Sequence, residues 1–114
     1  MFIKSYIKKI YRDFIPEKVK KYLLVGLKKI YSPSSRLKRF LVFEGDFKVK
    51  LDNYSIAFTQ TGNSIEVNLF CGGISSYEPI SIEIWKRFSK SSSTILDIGS
   101  NSGLYALVAK TINP

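Results

Sequence analysis

Histidine is absent from this 114-residue chain, and cysteine occurs once, at Cys71. No Cys/His metal site can be assembled from such a composition. An intramolecular disulfide is excluded as well, and a single thiol fits a reducing compartment. A lone cysteine without histidine to activate it makes a poor nucleophile. Ahead of Gly72-Gly73, Cys71 therefore reads as a small residue at the end of a strand. Long apolar runs are missing too. The longest near the start, Tyr22-Leu23-Leu24-Val25-Gly26-Leu27, falls far short of the roughly 20 residues of a membrane span. Lysines interrupt every apolar stretch of the first residues, so no secretory leader is read there. The expectation is a soluble, cytoplasmic protein.

Acidic residues are scarce in one region only. The chain holds 18 Lys/Arg against 9 Asp/Glu, a net charge of +9. Residues 1–40 carry twelve Lys/Arg against Asp13 and Glu17, giving +10, and residues 41–114 carry six against seven, giving −1. The excess is a property of the first third. There, Phe2, Ile3, Tyr6, Ile7, Ile10, Tyr11, Phe14 and Ile15 recur at spacings of three and four, with Lys4, Lys8, Lys9 and Arg12 elsewhere around the helix. Pro16 and Glu17 suit the first turn of a second helix, in which Val19, Leu23, Leu27 and Ile30 share a face. Ser32-Pro33-Ser34-Ser35 ends it as a linker. Two readings compete for this basic arm: a pair of helices packed on the domain's own core with solvated lysines outside, or a surface for anionic lipid or nucleic acid. No specific nucleic-acid module is present.

Beyond residue 40 the period changes to two. Phe47-Lys48-Val49-Lys50-Leu51, Tyr54-Ser55-Ile56-Ala57-Phe58 and Ile65-Glu66-Val67-Asn68-Leu69 each alternate, separated by Asp52-Asn53 and Thr61-Gly62-Asn63. The pattern predicts three half-buried antiparallel strands in a meander. Tyr77-Glu78-Pro79 then opens a helix with Ile80, Ile84 and Phe88 on one face and Trp85 beside them; Lys86, Arg87 and Lys90 near its end complement the dipole. Ser91-Ser92-Ser93 leads into an apolar run ending at Asp97, a glycine turn and a last helix that Asn113-Pro114 stops.

That turn, Asp97-Ile98-Gly99-Ser100-Asn101-Ser102-Gly103, carries the chemistry. It fails the dinucleotide fingerprint, because Asn101 and Leu104 stand where glycines are needed. Ala109-Lys110-Thr111 lacks the glycine of a P-loop and lies within the last helix. What remains is Asp-x-Gly-x-Asn-x-Gly directly after an apolar strand. Glycines there admit a ligand close to bare backbone, and the following helix offers free N–H groups. With Tyr77-Glu78-Pro79 upstream and Leu104-Tyr105 downstream, the segment resembles the FkbM family of S-adenosylmethionine-dependent methyltransferases over about residues 70–114. Ser100 and Ser102 replace the family's usual alanine and isoleucine, and Leu104 takes an often aromatic position.

The resemblance implies an α/β chain: the start of a doubly wound, Rossmann-like methyltransferase domain, its sheet incomplete. Residues 1–35 form a basic helical arm, 40–75 the meander, and 76–114 the helix, first strand, glycine turn and first helix, truncated at 114. It implies S-adenosyl-L-methionine as cofactor, held by Asp97, Gly99, Ser100, Asn101 and Gly103, with Glu78 either reaching the cofactor's amino group or serving as a helix-start carboxylate. The reaction it implies is O-methyl transfer to a hydroxyl of a small molecule, glycan or lipid. No catalytic residue is assigned. The ribose-binding acid, the acceptor pocket and any general base are expected beyond residue 114, with at least about 30 residues per further strand-helix-strand unit. The chain alone is then expected to bind cofactor weakly or not at all and to be inactive, with an exposed strand edge prone to association. Two alternatives stay open: a structural glycine turn in an α/β protein that binds something else, and a non-enzymatic module whose arm, through residues 1–31, contacts an anionic membrane or nucleic acid.

Overall fold

A computed structural model describes residues 2–32, 34–40 and 42–114. Pro33, part of the expected linker, lies outside the described residues. In chain order come helices α1 (Phe2–Phe14), α2 (Glu17–Ile30) and α3 (Ser35–Phe40), strands β1 (Gly45–Leu51) and β2 (Tyr54–Gln60), and helix α4 (Ser64–Gly72). A short 3-10 turn (Ile74–Ser76), α5 (Pro79–Ser91) and α6 (Leu104–Ile112) follow. Among the described residues the architecture is thus mixed α/β, with six α-helices and one two-stranded antiparallel sheet, compatible with a partial α/β domain.

The hairpin follows the sequence pattern. Leu51 pairs with Tyr54 across the Asp52-Asn53 turn, and the ladder runs back to Gly45 opposite Gln60. Asp52 adopts φ 52°, a left-handed conformation that Asp and Asn tolerate better than other side chains. Phe47, Val49, Leu51, Ile56 and Phe58 are buried, while Lys48, Lys50, Ser55 and Ala57 are exposed. The buried face meets Leu24 of α2, Ile65, Leu69 and Phe70 of α4, Ile82 of α5, and Leu104 and Val108 of α6. Phe47 stacks on Phe58 at 5.8 Å and meets Phe70 edge-on at 5.5 Å. Each such side chain contributes about 1.5–3 kcal/mol by leaving water.

The third expected strand is a helix. Residues 65–69 alternate in sequence, yet Glu66 and Phe70 are buried along with Ile65, Val67 and Leu69, because α4 is covered on several sides. Its start is fixed locally. The Asn63 side chain accepts a hydrogen bond from the Ile65 N–H at 2.9 Å, and Glu66, three residues on, turns back to accept from the Thr61 N–H at 2.6 Å and its hydroxyl at 3.0 Å. The Asn63 N-cap, with Glu66 reaching back past it to Thr61, outweighs a period-two pattern only five residues long. Gly73, at φ 73°, closes the helix by donating its N–H to Leu69 O at 2.8 Å.

A second correction concerns residues 94–97, expected as the first strand of the doubly wound sheet. They have no regular secondary structure, and both neighbours of Asp97, Leu96 (79% exposed) and Ile98 (92% exposed), face outward. A strand exists through its ladder, and β1 and β2 pair only with each other.

The arm also departs from the expected packing. On α2 the face turned inward carries Lys20 and Leu24, not the row of Val19, Leu23 and Ile30, which is exposed. Lysines make this possible by laying their stems along the core and delivering the ammonium to backbone carbonyls. Lys21 donates to Asp46 O, and Lys28 donates to Phe70 O at 3.0 Å while sitting 4.3 Å from the centroid of the Phe70 ring. Helix α1 leaves Ile3, Tyr6, Ile7, Ile10 and Phe14 exposed, so the reading in which both helices pack their apolar stripes on the core holds for neither stripe.

Candidate functional site

Pro79 at the first position of α5 favours an extended residue before it. Glu78 departs from this with a left-handed backbone, φ 43° and ψ 57°. Its carboxylate does not cap α5. Instead it accepts a hydrogen bond of 2.7 Å from the Tyr105 hydroxyl in the first turn of α6. Burial first, and then this carboxylate, push the Tyr105 phenol up to about 12. The Trp85 indole N–H donates to Tyr105 O at 2.8 Å, and the two rings meet edge-on at 5.5 Å. Glu78, Trp85 and Tyr105 thus clamp the start of α5 and its middle to the start of α6.

The turn between them has an unusual backbone. Gly99 and Gly103 both take φ 73°, and Asn101, between them, takes φ 48°. Three left-handed residues in five reverse the chain tightly, with Gly103 donating its N–H to Ser100 O at 2.7 Å. Asn is among the few non-glycine residues that visit this region readily, which explains how position 101 carries a side chain. No heavy atom lies within 4 Å of where a Cβ would stand on Gly99 or Gly103. The glycines are therefore required by backbone angle, and the space above them is open. Gly103 precedes α6 without supplying a side-chain cap to its first N–H groups.

Two polar atoms beside this turn are buried without a hydrogen-bond partner: Oδ2 of Asp97 and the hydroxyl of Ser102. Such a group costs on the order of 1–3 kcal/mol when left unsatisfied. Asp97 lines a hollow of about 580 Å³ between residues 92–97 and α6, with Ser92, Ile95, Ala106, Ala109 and Lys110 among its walls. Lys110 gives its ammonium to Pro114 O at 2.7 Å. Neither Glu78 nor any residue of the 99–103 turn lines this hollow; Asp97 faces the side of α6 that carries Ala106, Ala109 and Lys110, and Glu78 is committed to Tyr105.

One contributor was not singled out from the sequence. The Asn63 side-chain amide that caps α4 also donates to Oδ1 of Asn101 at 3.0 Å, joining the hairpin exit to the glycine turn. Its signal was the spacing Asn63-x-x-Glu66, a helix-start signature lying within an apparent strand pattern.

Comparison with known protein families, with curated proteins and with solved structures finds no match to the chain.

Proposed function

We propose that the turn from Asp97 to Gly103 is the donor-binding end of an S-adenosyl-L-methionine-dependent O-methyltransferase of Rossmann-like plan, acting on a hydroxyl of a small molecule, glycan or lipid. The observation that carries the reading is the unpartnered, buried Oδ2 of Asp97 next to three left-handed residues and open space over two glycines. An amino-acid head group suits that set. Its ammonium would satisfy the Asp97 carboxylate through a charge-assisted hydrogen bond, and its carboxylate would take N–H groups of the turn and of the first turn of α6. Ser100 and Ser102 keep the turn small, and Asn101 holds it closed through Asn63. The residues present fit the methionine end of the donor; they include none assigned here to its ribose or to the methyl acceptor.

When bound, the donor would supply the methyl group of its sulfonium, an acceptor hydroxyl oxygen taking it in line as the sulfur leaves with the bonding pair as a thioether and the hydroxyl proton passes to water. This chain's contribution is orientation. Residues 97–103 would hold the amino-acid head group, and holding a reactant in position lowers barriers substantially. Glu78 acts by positioning, since its bond to Tyr105 sets where α6 begins relative to α5.

Equilibrium dialysis against S-adenosyl-L-methionine tests the reading. Gly99→Val should abolish binding, because a β-branched residue at φ 73° is strained and fills the open space. Asp97→Asn should weaken binding about tenfold or more while leaving the far-ultraviolet circular dichroism unchanged. Unaltered affinity in Asp97→Asn would contradict the assignment and leave the turn a structural one.

A further inference from the structure

Helix α1 is amphipathic, yet its orientation is inverted relative to a helix that serves its own core. Ile3 (74% exposed), Tyr6, Ile7, Ile10 and Phe14 (76% exposed) face away from the molecule. The opposite side, with Ser5, Lys8, Lys9 and Arg12, lines a hollow of about 530 Å³ whose far wall is Val42, Phe43 and Glu44. A buried lysine holds this orientation. Lys20, only 4% exposed, donates to Arg12 O at 3.1 Å and to Glu17 at 2.5 Å, and its ammonium lies 5.5 Å from the centroid of the Tyr11 ring. It thereby binds the carbonyl end of α1 from the Tyr11 side and leaves the isoleucine row outward.

We infer that α1 lies in the surface of an anionic lipid bilayer, with Ile3, Ile7, Ile10 and Phe14 among the acyl chains and the rest of the chain on the aqueous side. Two observations select this occupant. The first is charge. Residues 1–40 carry +10 and residues 41–114 carry −1, so the molecule is polarised toward the end that holds α1, and a negative surface attracts that end. A second copy of the chain docked through the same row would bring two arms of +10 together. The second is the apolar row itself. A nucleic acid would engage the exposed Lys8, Lys9 and Arg12 but would leave the row of Ile3, Ile7, Ile10 and Phe14 in water. A bilayer satisfies both halves, taking the apolar row below and placing anionic head groups beside the flanking cations. Tyr6, at the margin of the row, suits the interfacial level. This inference stands independently of the methyltransferase reading.

Co-sedimentation of the 114-residue protein with phosphatidylcholine vesicles, with and without phosphatidylglycerol, tests it. Binding should be about tenfold or more tighter with the anionic lipid and should weaken as salt is raised to about 0.5 M. Ile7→Asp combined with Ile10→Asp should reduce partitioning by about a hundredfold, roughly tenfold per residue. A second protein, Phe14→Trp, should shift its added emission to the blue on anionic vesicles, a readout that does not depend on the double variant folding. Absence of vesicle binding would overturn the inference. So would equal partitioning of the double variant, self-association through the row without lipid binding, or binding to an RNA homopolymer but not to vesicles.

Discussion

Glu78 and Tyr105 illustrate how a residue acquires its role from a neighbour distant in sequence. A glutamate before proline at a helix start is ordinarily a dipole partner. Here the left-handed backbone at Glu78 aims the carboxylate at the Tyr105 hydroxyl across the α5–α6 pair. Tyr105 is held at about 12, above the ordinary phenol value of about 10. Below pH 10 the phenol is neutral in folded and unfolded chains alike, and the contact contributes fully. Between about 10 and 12 the unfolded chain ionises while the folded one does not, so stability falls as pH rises through that window. Spectrophotometric titration should find two of the seven tyrosines, Tyr11 and Tyr105, ionising near 12. Glu78→Gln should bring Tyr105 alone down toward 10 without reaching it, since burial is the larger cause. A Tyr105 that titrates identically in both proteins would place the cause elsewhere.

Among the elements, those whose signals were local were legible and those whose identity depends on partners were not. The hairpin was legible because two alternating runs flank Asp52-Asn53, and α5 because Pro79 precedes an apolar row of helical spacing. Helix α4 was misread because Ile65, Val67 and Leu69 alternate over a stretch too short to separate period two from a helix buried on several faces. The capping signal at Asn63 and Glu66 decides the matter. Asn63→Ala should cost about 1 kcal/mol from the cap alone, and more through the lost bond to Asn101. Asn63→Asp keeps the capping oxygen but cannot donate to Asn101, so its loss should be smaller. Urea denaturation of the three proteins checks the order; indistinguishable midpoints would mean the cap is dispensable. The strand expected at residues 94–97 failed for a different reason, since a ladder is a property of two segments and no sequence window contains both. For the candidate site, the positions needing left-handed backbone at Gly99, Asn101 and Gly103 were legible as a small-residue turn. The tie through Asn63 and the diversion of Glu78 to Tyr105 were not, because both are contacts between elements.

At the scale of the whole molecule, the radius of gyration is 16.1 Å, against about 13 Å expected of a compact chain of this length. The extents of 54 × 28 × 23 Å reflect the same elongation. Among the described residues no helix is long and apolar enough to cross a membrane. The proposed work is divided between a basic arm for an anionic surface and a glycine turn for a methyl donor. The claim about the turn is central, and amide NMR tests it most directly because it registers weak binding residue by residue. Titrating the labelled protein with S-adenosyl-L-methionine to about 10 mM, which reaches affinities near −4 kcal/mol, should move the amide signals of Gly99, Ser100, Asn101 and Gly103 along saturating curves. The same addition to Gly99→Val should leave them still. Signals that move only outside residues 97–105, or that move equally in Gly99→Val, would contradict the account.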